Sequence, residues 1–339
     1  MTKFKVVCDP NTPNFGSTQI IVNAINKAAK NLNLYSDNDK LVVYDCLGQS
    51  HGYNPNAFWI AYELPFPKFI LQTCYPKKIL GLSKDNAHFA ILGGYPKELV
   101  DYVNLGVDTT TWKPTTKKYL KDKFVFLTMT ESNTRSGLEI LVQAFAENFK
   151  NQKGVVLYLK DRSPTDKFQA WVKNIAETFN VEIIHDPRHL EDHQEEVKIF
   201  ESCDCHLYLN HTGSFNMTVM QGLSCGIPTV SIRHGGPSDY ISHGMNGIGI
   251  EYDLVGITQE YINQLINIGM KNHLFPITND NHKILPFWAI PRKEDMKKCM
   301  NELVSNKNTL TYLSENAIAT ANWFSWERSA MNMSFVLRG

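Results

Sequence analysis

Two short loops hold the residue types and spacings that can do chemistry in this 339-residue chain. The first, His211 to Asn216 in LYLNHTGSFNMTVMQGLSC, falls between an apolar strand-like stretch and a helical one. There the backbone N–H groups of Gly213, Ser214, Phe215, Asn216 and Met217 can face a ligand with the positive end of a helix dipole behind them. A phosphate suits that environment. The second, HGGPSD at 234–239, follows the next strand, and Gly235 and Gly236 permit close backbone approach or positive φ. Two adjacent strand-end loops of this kind can cradle a diphosphate; the same glycines serve equally well in tight strand-to-helix turns.

Other clusters read as structural. Asp37 to Asp39 mimics a metal-binding triplet but lies in the hydrophilic SDNDK loop, and His189 and His193 have i, i+4 spacing with no third ligand in sight. Cys203 and Cys205 lack a second pair at zinc-site spacing, so the seven scattered cysteines read as free thiols. No metal is expected. Formal charge is zero, but residues 1–123 carry +5 and the remainder −5. That suggests an anionic partner for the first half, far short of the clustered stripe of a strong nucleic-acid binder. Lys outnumbers Arg 27 to 7 and Asn is abundant, a composition associated with AT-rich genomes. No apolar run approaches the ~18 residues of a membrane-spanning helix, and MTKFKVVCDP has no signal-peptide core. A cytoplasmic location is expected, the host cytoplasm if the source is viral.

The elements that must position these loops follow from hydrophobic periodicity. FKVVCD, PNTPNFGST and QIIVNAINKAAKNL read as strand, loop and helix, with further strands at LVVYD, FWIAYE, HFAILGG and YVNLGV, and helical spacing at Phe69 to Leu82 and Lys97 to Val100. DTTTWKPTTKKYLKDK has linker composition and places a boundary near Lys118. Beyond it, FVFLTM, GVVLYLK, VEIIH, CHLYLN and TVSIR alternate with SGLEILVQAFAENF, KFQAWVKNIAETF, EEVKIFES and MTVMQGLSC. Regular βαβα alternation predicts a parallel sheet that binds ligands beyond its strands' carboxyl ends. From Asn263 onward the pattern turns helical and irregular, ending in a helix near NWFSWERSAMNMSFVL.

At this point the chain resembles a known family. Residues 207–247 resemble the donor-site signature of family 4 glycosyltransferases (glycosyl transferases group 1), GEGFG followed by EAMACGxPVV and GGxxE, with Phe215, Gly226, Pro228, Gly235, Gly236 and Asp239 keeping the framework. NLGVDTTTWKP is similar to the family's GVD-x-x-x-F-x-P interdomain segment, FLTMTESNTRSGLEILVQAF to its strand, basic loop and helix, FSWERSA to its FSWE helix, and WIAYELP to a Y-x-x-E-x-x-x-x-P element. The resemblance spans about Phe58 to Ala330. It implies an α/β protein of the GT-B type, with two Rossmann-like domains facing each other across a cleft. Residues 1–118 would form the acceptor domain and 119–320 the nucleotide-sugar donor domain, with 321–339 returning as a helix onto the first.

The departures bear on chemistry. The family's two donor-site glutamates align with Gly213 and Gln221, so both carboxylates are absent, and its lysine aligns with Ser136 beside a retained Arg135. Gln221 can still hydrogen-bond a ribose hydroxyl, whereas Gly213 leaves the sugar contact to a neighbour such as Asn210, His211 or Ser214. Lys160, ending GVVLYLK, is expected to supply the second positive charge. The implied reaction is a metal-independent transfer of a hexosyl or pentosyl group, with retention, from a UDP- or GDP-sugar to a hydroxyl of a glycan, lipid or protein. No cofactor is expected. Arg135, Lys160 and the 213–217 amides would hold the diphosphate, Gln221 and Asp239 the ribose side. Gly16 and Glu63 would face the acceptor, Glu63 orienting or deprotonating its hydroxyl. The alternatives are a phage-type enzyme acting on a hydroxymethylated DNA base, which must leave the stack, and a non-catalytic nucleotide-sugar binder. Oligomeric state is left open.

Overall fold

The computed structural model describes residues 1–11, 17–45, 53–61, 77–114, 116, 120–190, 192–272 and 287–338. They form two compact units, one made of Met1–Thr111, Gly213–Met217 and Ala321–Gly339, the other of Trp112–Thr212 and Thr218–Thr320. The chain passes from the first to the second between Thr111 and Trp112. The Trp112 indole is buried edge-on against Phe200 at 5.8 Å, and its carbonyl accepts the Ser224 hydroxyl, which fixes it in the second unit.

The first unit is built on a parallel five-stranded sheet whose spatial order follows the sequence: β1 (Phe4–Val7), β2 (Lys40–Asp45), β3 (Ala57–Ile60), β4 (Lys78–Gly81) and β5 (Val100–Tyr102). Helix α1 (Ser17–Asn31) buries Ile21, Val22, Ile25, Ala28 and Ala29, a stripe at helical spacing. Asn26 on the same helix pairs with both backbone groups of Val6, accepting at 2.9 Å and donating at 2.7 Å. The segment HFAILGG is not a strand. It lies in helix α2 (Lys84–Leu92), because Ser83 caps the helix by accepting the Asn86 N–H and Asn86 Oδ1 in turn accepts the N–H of Leu82. Conversely Ile79, Leu80 and Gly81, assigned helical spacing, pair as strand β4 between β3 and β5.

The second unit holds a parallel six-stranded sheet: β6 (Phe124–Thr130), β7 (Val155–Asp161), β8 (Glu182–Asp186), β9 (Cys205–Tyr208), β10 (Thr229–Ile232) and β11 (Gly247–Ile250), in the spatial order 11-10-9-6-7-8. Val125, Phe126, Leu127 and Met129 are all buried, so β6 is covered on both faces, which is why its sequence is a continuous apolar run. The linking helices are α3 (Leu138–Asn148), α4 (Asp166–Phe179), α5 (His193–Phe200) and α6 (Met217–Ser224). A two-stranded antiparallel sheet absent from the sequence reading pairs β12 (Tyr252–Gly256) with β13 (Phe287–Pro291). Helix α7 (Gln259–Asn267) lies between those two strands in the chain, and α8 (Lys293–Ser305) and α9 (Lys307–Trp323) follow them.

The final helix, α10 (Trp326–Val336), completes the first unit by packing on α1. Val107 N–H donates to Phe324 O at 2.8 Å, and a Cβ on Gly106 would lie 2.4 Å from the Trp326 nitrogen. Only glycine allows that approach. Among the described residues no helix is long and apolar enough to cross a membrane.

Candidate functional site

Every strand of the second sheet ends at the same edge, so the β6–α3, β7–α4, β8–α5, β9–α6 and β10 loops lie along one rim. Arg135 sits half-buried in the β6–α3 loop. The turn that presents it is tied down internally: Asn133 Oδ1 accepts the Arg135 N–H at 3.2 Å, and the buried Ser136 hydroxyl donates to Asn133 O at 2.8 Å. Ser136 is therefore a turn-former, its hydroxyl committed to the backbone. Gly137 ends the turn with φ +66°, and a Cβ there would lie 2.4 Å from Leu209 O in the β9–α6 loop. Across that approach the His211 N–H donates to Arg135 O at 2.9 Å.

Asp161, fully buried at the end of β7, organises the rim. Its Oδ1 accepts the N–H groups of Ser132 and Ser163, each at 3.0 Å, and its Oδ2 meets His185 Nε2 at 3.2 Å. Burial alone would raise its pKa, but His185 and those two backbone donors more than offset this and hold the carboxyl below its ordinary range.

Lys160 departs from its expected place. It is 1% exposed, and its ammonium donates to the carbonyl of Asp186 at 3.2 Å and to that of Arg188, with Asp186 Oδ1 at 3.9 Å. Burial lowers its pKa, opposed by the Asp186 charge. The side chain braces the turn after β8 and does not present a cation to open space. Asp186 is held in the same knot by Arg188 and by the Tyr158 hydroxyl, whose own pKa is pushed up to about 12 by burial and Asp186.

A cation missed in the sequence lies at the rim instead. Exposed Lys271 donates its N–H to Ser132 O at 2.8 Å, accepts from the Thr134 N–H at 2.9 Å, and reaches Ser163 Oγ with Nζ at 2.6 Å. It adjoins the loop bearing Arg135 only through tertiary pairing 136 residues away along the chain, so no spacing rule points to it.

The glycine-rich loops have the expected local form. Asn216 takes φ +69° directly before α6, Phe215 is fully buried with Phe324 at 6.1 Å, and Ser214 and Met217 are half-buried. Gly213 is buried, and Gln221 is 7% exposed on α6. Gly235, at φ +73°, opens a 3-10 turn over Gly236–Asp239, where Gly236 is buried and Asp239 half-exposed. His211, offered as a sugar contact, is fully buried with its ring stacked on Trp288 at 5.2 Å, so it faces the interior. Gly16 and Glu63 lie outside the described residues. Asp37 accepts from Lys5 at 2.8 Å and from Tyr35 at 3.0 Å, as an ordinary surface carboxylate.

Residues 109–275, just under half of the chain, match the family model described as "Glycosyl transferases group 1". Among curated proteins, sucrose synthase 2 of Pisum sativum and sucrose synthase 3 of Arabidopsis thaliana are each 42% identical over 38 residues, which is 11% of this chain and 5% of theirs. Among solved structures, Anabaena Alr3699/HepE in complex with UDP is 12% identical with a TM-score of 0.63, covering 99% of both chains. A glycosyltransferase from Rickettsia africae is 13% identical with a TM-score of 0.60, covering 97% of this chain and 83% of its own. The span bearing the Arg135, His211 and Gly235 loops is thus similar in sequence to the group 1 glycosyl transferases, and the chain has the GT-B glycosyltransferase fold.

Proposed function

We propose that the protein is a glycosyltransferase that moves a sugar from a nucleoside diphosphate sugar to a hydroxyl acceptor, with retention of anomeric configuration. The observation that carries this reading is the position of the family match: residues 109–275 include Arg135, the loop Gly213–Met217 and the turn after β10. Loss of the nucleoside diphosphate builds negative charge on its oxygens, and fixed donors stabilise that charge where water is excluded. Arg135, Lys271 and the amides of Gly213–Met217 supply those donors. Gln221 and Asp239 meet the ribose side, without the charge assistance a glutamate would give at position 221. No metal or cofactor is invoked. Gly16 and Glu63 serve the acceptor. The donor nucleotide is UDP or GDP, and the acceptor is a glycan, lipid or protein hydroxyl, with hydroxymethylated DNA as a further arm of the test.

A second reading, a nucleotide-sugar binder without turnover, draws on the missing carboxylates: Gly213 has no side chain, and Gln221 is a buried amide. One experiment separates the two. Purified protein is incubated with UDP- and GDP-sugars, with and without acceptors, and release of the nucleotide is followed. Release by the wild type that is lost in Arg135→Ala supports the enzyme. Binding with no release under any acceptor leaves only the binder.

A further inference from the structure

Directly behind the Arg135 loop lies a buried polar cluster that plays no part in the reaction as set out above. The His211 ring, 0% exposed, has oxygens against both nitrogens: Ala289 O is 3.3 Å from Nδ1, and Glu139 Oε1 is 3.4 Å from Nε2. The second contact is within ion-pair range but off the line of a hydrogen bond, and neither Nε2 nor Glu139 Oε2 has a hydrogen-bond partner. Glu139, itself 7% exposed in the first turn of α3, accepts the Tyr261 hydroxyl from α7 at 2.7 Å. Burial and then the Glu139 charge hold that phenol far above its usual pKa, so it remains a donor.

The Ala289 carbonyl can only accept, so Nδ1 carries a proton. His211 and Glu139 thus form a buried polar pair, and such a pair persists only where its geometry is fixed. Here it is fixed from several sides. The His211 backbone donates to Arg135 O and accepts from Ala289 N at 3.1 Å, its ring stacks on Trp288, and Gly137 lets the His211 Cε1 come within 3.2 Å of where a Cβ would be.

We infer that His211 is a positioning residue: paired with Glu139, and with its own N–H on Arg135 O, it fixes the loop bearing Arg135 and so sets the affinity for the nucleoside diphosphate without touching it. This rests on the glycosyltransferase reading. Both residues are buried, and simple core filling does not call for a histidine set against a carboxylate that a tyrosine hydroxyl also holds.

The test is titration calorimetry of UDP and of GDP with the wild type, His211→Ala, Glu139→Ala, their double variant, Tyr261→Phe, and the core control Leu303→Ala, with melting temperatures recorded for each. Each single variant is expected to weaken binding about tenfold, and the double variant by no more than about twice the worse single, since the two share one interaction. Leu303→Ala lowers the melting temperature while leaving affinity alone. Folded single variants that bind within about twofold of wild type, or a double variant that multiplies the two single effects, would overturn the inference. Should His211→Ala or Glu139→Ala fail to fold, Tyr261→Phe decides: it removes one hydroxyl, and an affinity equal to wild type counts against the pair. A wild type that binds no nucleoside diphosphate sinks the glycosyltransferase reading and this inference with it, whereas normal wild-type binding beside unaffected variants sinks the inference alone.

Discussion

Among single residues, Arg135 carries the strongest expectation. In the proposed donor site its planar guanidinium would meet phosphate oxygens from a turn that two side chains hold rigid. Hydrogen bonds to charged groups contribute about 1.5–3 kcal/mol, so Arg135→Ala should weaken UDP or GDP binding by roughly ten- to hundredfold, read by calorimetry. Lys271 is exposed and more weakly coupled, and Lys271→Ala should raise the donor KM by only about threefold to tenfold. Gly137 is a conformational requirement. Its φ of +66° and the 2.4 Å approach of Leu209 O leave no room for a side chain, so Gly137→Ala should destabilise the second unit by about 2 kcal/mol or more in urea unfolding. Arg135 was singled out in the sequence only through the resemblance of FLTMTESNTRSGLEILVQAF to the family's strand, basic loop and helix, and Gly137 was not singled out at all. Nor was Lys271, and Lys160 was misplaced, because the strand's alternation says which face a side chain takes but not that the next turn folds back over it.

At the scale of elements, β9 contains a liability that should be measurable. His206 is fully buried with neither ring nitrogen hydrogen-bonded, and Thr229 Oγ1 on the neighbouring strand β10 is likewise unpartnered. Burial, reinforced slightly by Arg162, lowers the His206 pKa to about 3. A group whose folded pKa lies below its unfolded value gives stability that is intact above the unfolded pKa near 6.5 and is lost as pH falls toward the folded pKa. Between pH 7.5 and pH 5 the expected loss is about 2 kcal/mol. Thermal melts at the two pH values should therefore differ less in His206→Leu than in the wild type, and equal acid sensitivity would count against this account. The parallel strands of the second sheet were legible because burial on both faces forces continuous apolar runs. HFAILGG was not, since a short apolar run suits either a strand or a helix and the Ser83 cap decided it.

At the scale of the whole molecule, the chain leaves its first unit at Thr111, contributes Gly213–Met217 to it, and returns for good at Ala321. Helix α10 lies against α1, the Ser334 hydroxyl donates to Thr2 O at 2.7 Å, and Ser329 Oγ donates to Asn104 O at 2.7 Å. Truncation after Phe324 should therefore unfold or aggregate the N-terminal unit while the second unit keeps a cooperative melt, as followed by calorimetry and limited proteolysis. A truncated chain with both transitions intact would refute that dependence. What the sequence alone determined was the class of fold, the order of elements in the second unit and the two glycine-rich loops, because periodicity, capping and turn chemistry act between near neighbours. What tertiary structure decided was which polar groups remain open to a ligand. Lys160 folds into the β8 turn, His211 into a buried pair with Glu139, and Lys271 comes to the rim from a distant segment. Each outcome depends on the desolvation and pairing of groups far apart in the chain, which no local pattern encodes.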